Sequence, residues 1–270
     1  MTAVAIPHAL IVGLELRPWL GDMGFRKPIL FFVSTGLTVW SLGYLRMLLM
    51  PSQGWRCKWN RSIDLLLGVA LSVEVSLIAV QAWRGRKSHF NHSTLIDRNI
   101  EVVMTFCIAI ATAIVVYDTF RSFRRLATSC ANAWALRAGM LFLTVSCALG
   151  FGISIYGWRL MSHGESPSIV LPRGVLKFPH GAAIHALQLL PAIAGISGWI
   201  QSRLGVQAVV AAITGQALFL GYSMRQTWLG HDRWEFDGLG VFLMGLVAGS
   251  YGFSAIAISA GRYSRISHSA

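Results

Sequence analysis

The sequence predicts an all-α polytopic transmembrane helical bundle of about seven spans, and three observations carry that expectation. The chain is 54% hydrophobic and only 13% charged, with a mean hydropathy of +0.57, whereas a soluble domain carries about 25% charged residues. Apolar runs recur at close to the ~20 residues that a helix needs to cross hydrocarbon. Tryptophans gather near the ends of those runs, where an amphipathic indole favours the headgroup layer. The 270 residues read as a single integral membrane domain. Within it, 1–27 form a short N-terminal interfacial segment, 28–260 the seven-helix bundle and 261–270 a tail.

Met1 to Leu14 is apolar, lacks a basic leader and contains Pro7 and His8, so it fits neither a cleaved signal peptide nor a full span. An interfacial or re-entrant helix is expected there. The spans follow at about 28 to 50, 62 to 83, 99 to 120, 134 to 158, 179 to 200, 206 to 227 and 236 to 260. Trp83, Trp134, Trp158, Trp199, Trp228 and Trp234 fall near the limits, and Trp40, inside the first span, is the exception. Trp83, Trp158 and Trp228 each end an even-numbered span and precede a polar loop with histidine, at spacings of 75 and 70 residues. Such spacing suits a repeated helical hairpin, although belt tryptophans at helix ends produce the same pattern by chance.

The net charge of +12 is spread in short groups between apolar runs, not along one polar face, which speaks against nucleic acid. The lipid bilayer is the expected partner, with anionic lipid headgroups at the basic loops 51–61 and 121–137. Lys and Arg divide almost evenly between the two sides. The acids do not: Glu15, Asp22, Asp97, Glu101, Glu165, Asp232, Glu235 and Asp237 fall on the N-terminal side, and Asp64 and Asp118 opposite. With the undiluted basic loops assigned to the cytoplasmic leaflet, the N-terminus is expected outside and the C-terminus inside. Cys57, Cys107, Cys130 and Cys147 show no CxxC spacing, so zinc-thiolate and iron-sulfur sites are not indicated, and no pair is left outside for a disulfide.

Ionisable groups within membrane-length segments mark function by default. The stretch Phe178 to Pro191 opens on His180 and His185, with Gln188 one helical turn beyond His185. His180 and His185, five residues apart, diverge on a straight helix, and Pro191 is expected to kink it. Glu74 lies near mid-span with Gln81 on the same face seven residues on. A proton relay, a ligand partner or a coupling-ion site would use such a carboxyl, and a neutral acid bonded to a neighbouring helix is the structural alternative. The loop from Trp83 to Glu101 brings His89 and His92, at i and i+3, close to Asp97 and Glu101; a solvated loop touching lipid phosphate is its alternative. His231 and Glu235 pair at i, i+4 before the last span, and Gly245 and Gly249 form a GxxxG expected to pack helices closely.

Of eight histidines, only His268 falls on the C-terminal side, though longer loops on the other side would also collect them. Imidazoles and carboxylates at one depth suit a transition metal, or haem held by axial histidines. On the first functional expectation, a redox or metal-dependent membrane enzyme, His89 and His185 bind the cofactor and His89, His92, His180 and His185 supply metal ligands. Glu74, Glu101 and Gln188 are then the catalytic, proton-handling groups. The second is a proton-coupled transporter or channel using Glu74, with Pro191 and Gln216 along the path. The third is an assembly or sensor subunit. No HExxH, CxxCH, nucleophile elbow, P-loop or GxGxxG is present. Substrate and oligomeric state are not legible.

Overall fold

The computed structural model describes residues 5–14, 25–49, 58–124, 126–167, 169–170 and 172–266. Glu15, Asp22, Cys57, His268 and most of the basic loop at 51–61 lie outside these residues. The elements are α1 (Ala5–Gly13), α2 (Arg26–Leu49), α3 (Lys58–Trp83), α4 (Leu95–Arg124) and α5 (Cys130–Ser162), then β1 (Ile169–Val170) and β2 (Gly174–Val175). After that hairpin come α6 (Lys177–Ile184), α7 (Ala186–Trp199), α8 (Gly205–Trp228) and α9 (Gly238–Ile266).

Among the described residues, seven helical segments are long and apolar enough to cross a membrane: Arg26–Leu49, Asn60–Trp83, Leu95–Arg124, Cys130–Ser162, Lys177–Trp199, Gly205–Trp228 and Gly238–Ala260. Each expected span has its helix. The third and fourth run four residues further at either end than the apolar stretch does, because capping rather than hydropathy sets a helix limit. Ser129 accepts the Asn132 N–H at the start of α5, which satisfies one of the free donors of the first turn. Trp199 and Trp228, at helix ends, are 85% and 87% exposed, as belt residues should be.

The chain divides into two compact units, Met1–Asp118 and Thr119–Ala270. In the first, α1 packs against α2, which packs against α3, and Ala5, Phe32, Val75 and Ala79 form a shared core. His8 belongs to this packing. It is 6% exposed, its ring lies against Phe25, Phe32 and Trp83, and the Trp83 indole N–H donates to its Nε2 at 3.1 Å.

In the second unit small residues let backbones approach. Ala135, Ala138, Ala186, Leu190, Ala194, Val209 and Ala212 form the core of α5, α7 and α8. A Cβ at Gly139 would sit 2.8 Å from the Leu187 Cα, and one at Gly215 would meet the Tyr251 ring and Ser250 within 3.2 Å. Gly245 and Gly249 do not play this part: a Cβ at either meets nothing within 4 Å. Close packing of α8 on α9 goes through Gly215 instead.

The fifth span is interrupted at His185, six residues before Pro191, which lies within α7. His185 (φ −89°, ψ 1°) turns its N–H to Ala183 O, and the N–H groups of Gln188 and Leu189 both return to His185 O, at 3.1 and 3.0 Å.

Candidate functional site

In the first unit the connection from α3 to α4 is built on two carboxylates. Asp97, 1% exposed, accepts from Gln81 Nε2 at 3.0 Å, Arg84 at 2.7 Å, Ser93 at 3.0 Å and Thr94 at 2.7 Å. Its own N–H donates to Thr94 Oγ1 at 3.1 Å, so Thr94 caps the start of α4. Glu101 accepts the main-chain N–H groups of Phe90 and Asn91 at 3.2 and 3.3 Å. Phe90 has φ +56°, a left-handed conformation unfavourable to an aromatic residue, and the two bonds hold it there. His92 Nε2 lies 3.5 Å from Glu101. Glu101 therefore organises the loop that carries His89 and His92.

At the same end of the unit, Lys27 at the start of α2 donates to Ser88 Oγ and, at 3.1 Å, to His89 Nδ1. An ammonium can only donate, so Nδ1 of His89 is the acceptor and its proton resides on Nε2. Lys27 is also the cation that acts on Glu74. Glu74 lies nine residues, about 13 Å of helix, before the end of α3. It is 7% exposed and makes no hydrogen bond among the described residues.

At the opposite end of the unit Arg46 joins three helices. Its Nε and Nη2 donate to Asp118 of α4 at 2.7 and 3.2 Å, and its Nη1 donates to Asp64 of α3. Arg46 and Asp118 are 7% and 0% exposed, Asp64 29%. Charged residues within a span cost free energy even away from its centre; at the centre, insertion scales put about 2.5–3.5 kcal/mol on each, and an interhelical hydrogen bond returns about 0.6 kcal/mol. Helix adhesion alone is a poor reason for such a cluster. Nothing in the sequence singles these residues out, since charge counting places each near a loop; the usable signal is that all three also fall within apolar segments.

The second unit holds its polar groups around the interruption at His185. His180 Nδ1 lies 2.8 Å from Ser146 O; a carbonyl only accepts, so Nδ1 carries the proton and Nε2 keeps its lone pair. The Ser146 hydroxyl in turn donates to His180 O at 3.0 Å. Gln216 of α8 donates its amide to Ala182 O, a carbonyl that a continuous helix would occupy with the Ala186 N–H. The Tyr251 hydroxyl of α9 donates to Gln216 Oε1 at 2.8 Å. Gln216, held by Tyr251, thus supplies the Ala182 carbonyl at the break with a donor, as apolar surroundings require, while Ser146 ties α6 to α5 at His180. His185 is exposed at the break, and the Gln188 main chain bonds to it.

The loops at α3–α4 and α8–α9 share one device. Gln81-Ala-Trp-Arg-Gly85 and Gln226-Thr-Trp-Leu-Gly230 end their helices with the glycine at φ +64° and +73°. The glutamine O accepts the N–H five residues on, from Arg86 and from His231, at 2.9 Å in both. Each glutamine Nε2 donates to the carbonyl six residues on, Lys87 at 3.4 Å and Asp232 at 3.1 Å. An arginine and an aspartate complete each: Arg84 with Asp97, and Arg225 with Asp237 at 2.5 Å. The Trp158 end differs, with Leu160 accepting the corresponding bond from Glu165, so the repeated feature is a Gln-x-Trp-x-Gly hairpin and not the tryptophan.

The candidate residues therefore gather in two sets. Glu74, His89, His92 and Glu101 belong to the first unit with Lys27; His180, His185 and Gln188 belong to the second with Ser146 and Gln216. Among the described residues no three His, Cys, Asp or Glu side chains converge as metal ligands. No protein-family model, curated protein or solved structure matches the chain.

Asp237 caps α9, accepting the Gly240 N–H at 2.7 Å, and the Arg225 guanidinium beside it, with that N–H, holds its carboxyl below the usual carboxylate range. A carboxyl whose folded value is depressed contributes stability above its unfolded pKa of about 3.9 and loses that contribution as pH falls through the folded value. Melting temperature followed down through this range should fall less steeply for Asp237→Asn than for the parent; parallel curves would refute the pairing.

Proposed function

We propose that α2, α3 and α4 of the first unit carry protons across the membrane, as a proton-coupled transporter or channel. The observation that carries this reading is Glu74: a carboxyl at mid-span, 7% exposed, without a hydrogen bond among the described residues and under the influence of a single named cation, Lys27. A structural carboxyl at that depth would be bonded to a neighbouring helix, as Asp97 and Asp118 are. A carboxyl that must exchange its proton gains from having no such bond to break. Lys27, whose charge acts on it, donates to Ser88 and His89, and His89 is half-buried on the loop, where an imidazole can exchange protons with water. Ionisable residues so placed mark proton relays in membrane proteins.

One observation favours the metal or haem reading as well. A histidine that binds metal usually donates its other ring N–H to a carbonyl or carboxylate, which fixes the tautomer, and His180 does so to Ser146 O. On that reading His180 is the first ligand, and His185 of the same unit is the candidate to join it. Elemental analysis and a visible spectrum of the purified protein separate the two readings: stoichiometric metal or a haem band, lost in His180→Ala, supports the cofactor, and a colourless, metal-free protein rejects it.

Proton flux into vesicles loaded with a pH-sensitive dye, after an imposed pH step, tests the main reading. Glu74→Gln keeps the shape of the side chain and removes its exchangeable proton, so flux should fall to that of protein-free vesicles while folding is retained. Undiminished flux in this variant would reject the proposal.

A further inference from the structure

The cluster of Arg46, Asp64 and Asp118 lies at the end of the first unit away from Lys27 and His89. Arg46 comes from the last turn of α2, whereas Lys27 comes from the first, and the Arg46 partner Asp118 lies six residues before the end of α4. Asp64 and Glu74 share α3, ten residues apart, about 15 Å along the axis. The unit therefore holds ionisable groups at three depths: Lys27 and His89 at one end, Glu74 between, and the arginine cluster at the other.

The two carboxylates of the cluster are not equivalent. Asp118 is wholly buried and takes two of the three guanidinium bonds; Asp64 takes one and is 29% exposed. Among the described residues the charged group that meets Asp64 is Arg46 from α2, with Asp118 of α4 on the far side of the same guanidinium. A purely structural buried ion cluster is often replaceable by apolar packing without loss, while ionisable groups inside spans commonly serve proton relays.

We propose that Asp64 is the second proton-binding site of the path through Glu74, at the opposite membrane face, with Arg46 and Asp118 as its positioning residues. This inference rests on the proton-carrying reading above. A proton from water at the exposed edge of Asp64 adds to one carboxylate oxygen and makes a neutral acid. The ion pair to Arg46 Nη1 is then lost, while the guanidinium stays bound to Asp118 by its other two N–H groups. Return of the proton to water, or its passage to Glu74 along intervening water molecules that each accept one proton and give up another, restores the carboxylate and the pair, so charge and protons balance at each step.

The test uses the full-length protein in lipid vesicles, with protons as the probe, and reads both flux and the infrared absorption of protonated carboxyls over a pH series. Asp64→Asn should lower flux about 100-fold, the low end of what losing a proton-transferring side chain costs. It should also remove a carboxyl band different from the one that Glu74→Gln removes. Asp64→Glu keeps a carboxyl and should keep flux, with its pH midpoint moved. Parental flux and an unaltered band pattern in Asp64→Asn, beside an inactive Glu74→Gln, would overturn the role of Asp64 and leave the role of Glu74 standing. Should Asp64→Asn fail to fold, an unmoved pH midpoint in Asp64→Glu overturns the inference instead. Full flux in Glu74→Gln would overturn the parent reading on its own.

Discussion

Hydrocarbon cannot hydrogen-bond, so any polar group carried into a span must find its partner within the protein. Most of the features described above follow from that constraint. The interruption at His185 takes the Ala182 carbonyl out of a continuous helix, and Gln216, itself held by the Tyr251 hydroxyl, is placed to answer it. Asp97 is answered by four side chains and Glu101 by two main-chain amides. Arg46 is answered by two aspartates. Against this background Glu74 is the departure, and its lack of a hydrogen bond among the described residues has meaning only because the other buried acids are so fully bonded.

The spans were legible because hydropathy is local: an apolar run of the right length must cross or be buried, whatever its neighbours do. Positions that depend on tertiary partners were not. Pro191 is a visible helix breaker, yet the interruption falls at His185, where Gln216, remote in sequence, makes it tolerable. The GxxxG of Gly245 and Gly249 matched a packing motif but faces away from the rest of its unit, since the pattern says that a face is flat, not what lies against it. His8 falls in the stretch expected to form an interfacial helix, and what the sequence does not show is that its ring is walled in by Phe25, Phe32 and Trp83.

The candidate site was legible residue by residue but not as an assembly. Glu74, Glu101, His89 and His180 stand out as polar groups in apolar segments. Their partners do not: Lys27 and Arg46 look like loop cations, Asp64 and Asp118 like loop acids, and Ser146 like any small helix residue. Gln81 stands out beside Glu74, and Gln226 could have been found from the Gln-x-Trp-x-Gly pattern that the two helix ends share, a stronger echo than the tryptophans alone. The division of the histidines between two compact units gives each unit its own chemistry to explain. The first has an ionisable series from end to end of its helices, and the second has a broken span held by uncharged donors.

The central claim is that Glu74 exchanges a proton within the membrane, and chemical modification tests it most directly. An apolar carbodiimide reaches carboxyls from lipid and reacts with the protonated acid, so mass spectrometry of the labelled protein reads the state of Glu74 without assuming any cargo. The account predicts that Glu74 is labelled, that the labelled fraction changes with pH, and that Asp97, locked by its four partners, is spared. A Glu74 that stays unlabelled at every pH, or is labelled to the same extent throughout, would contradict it.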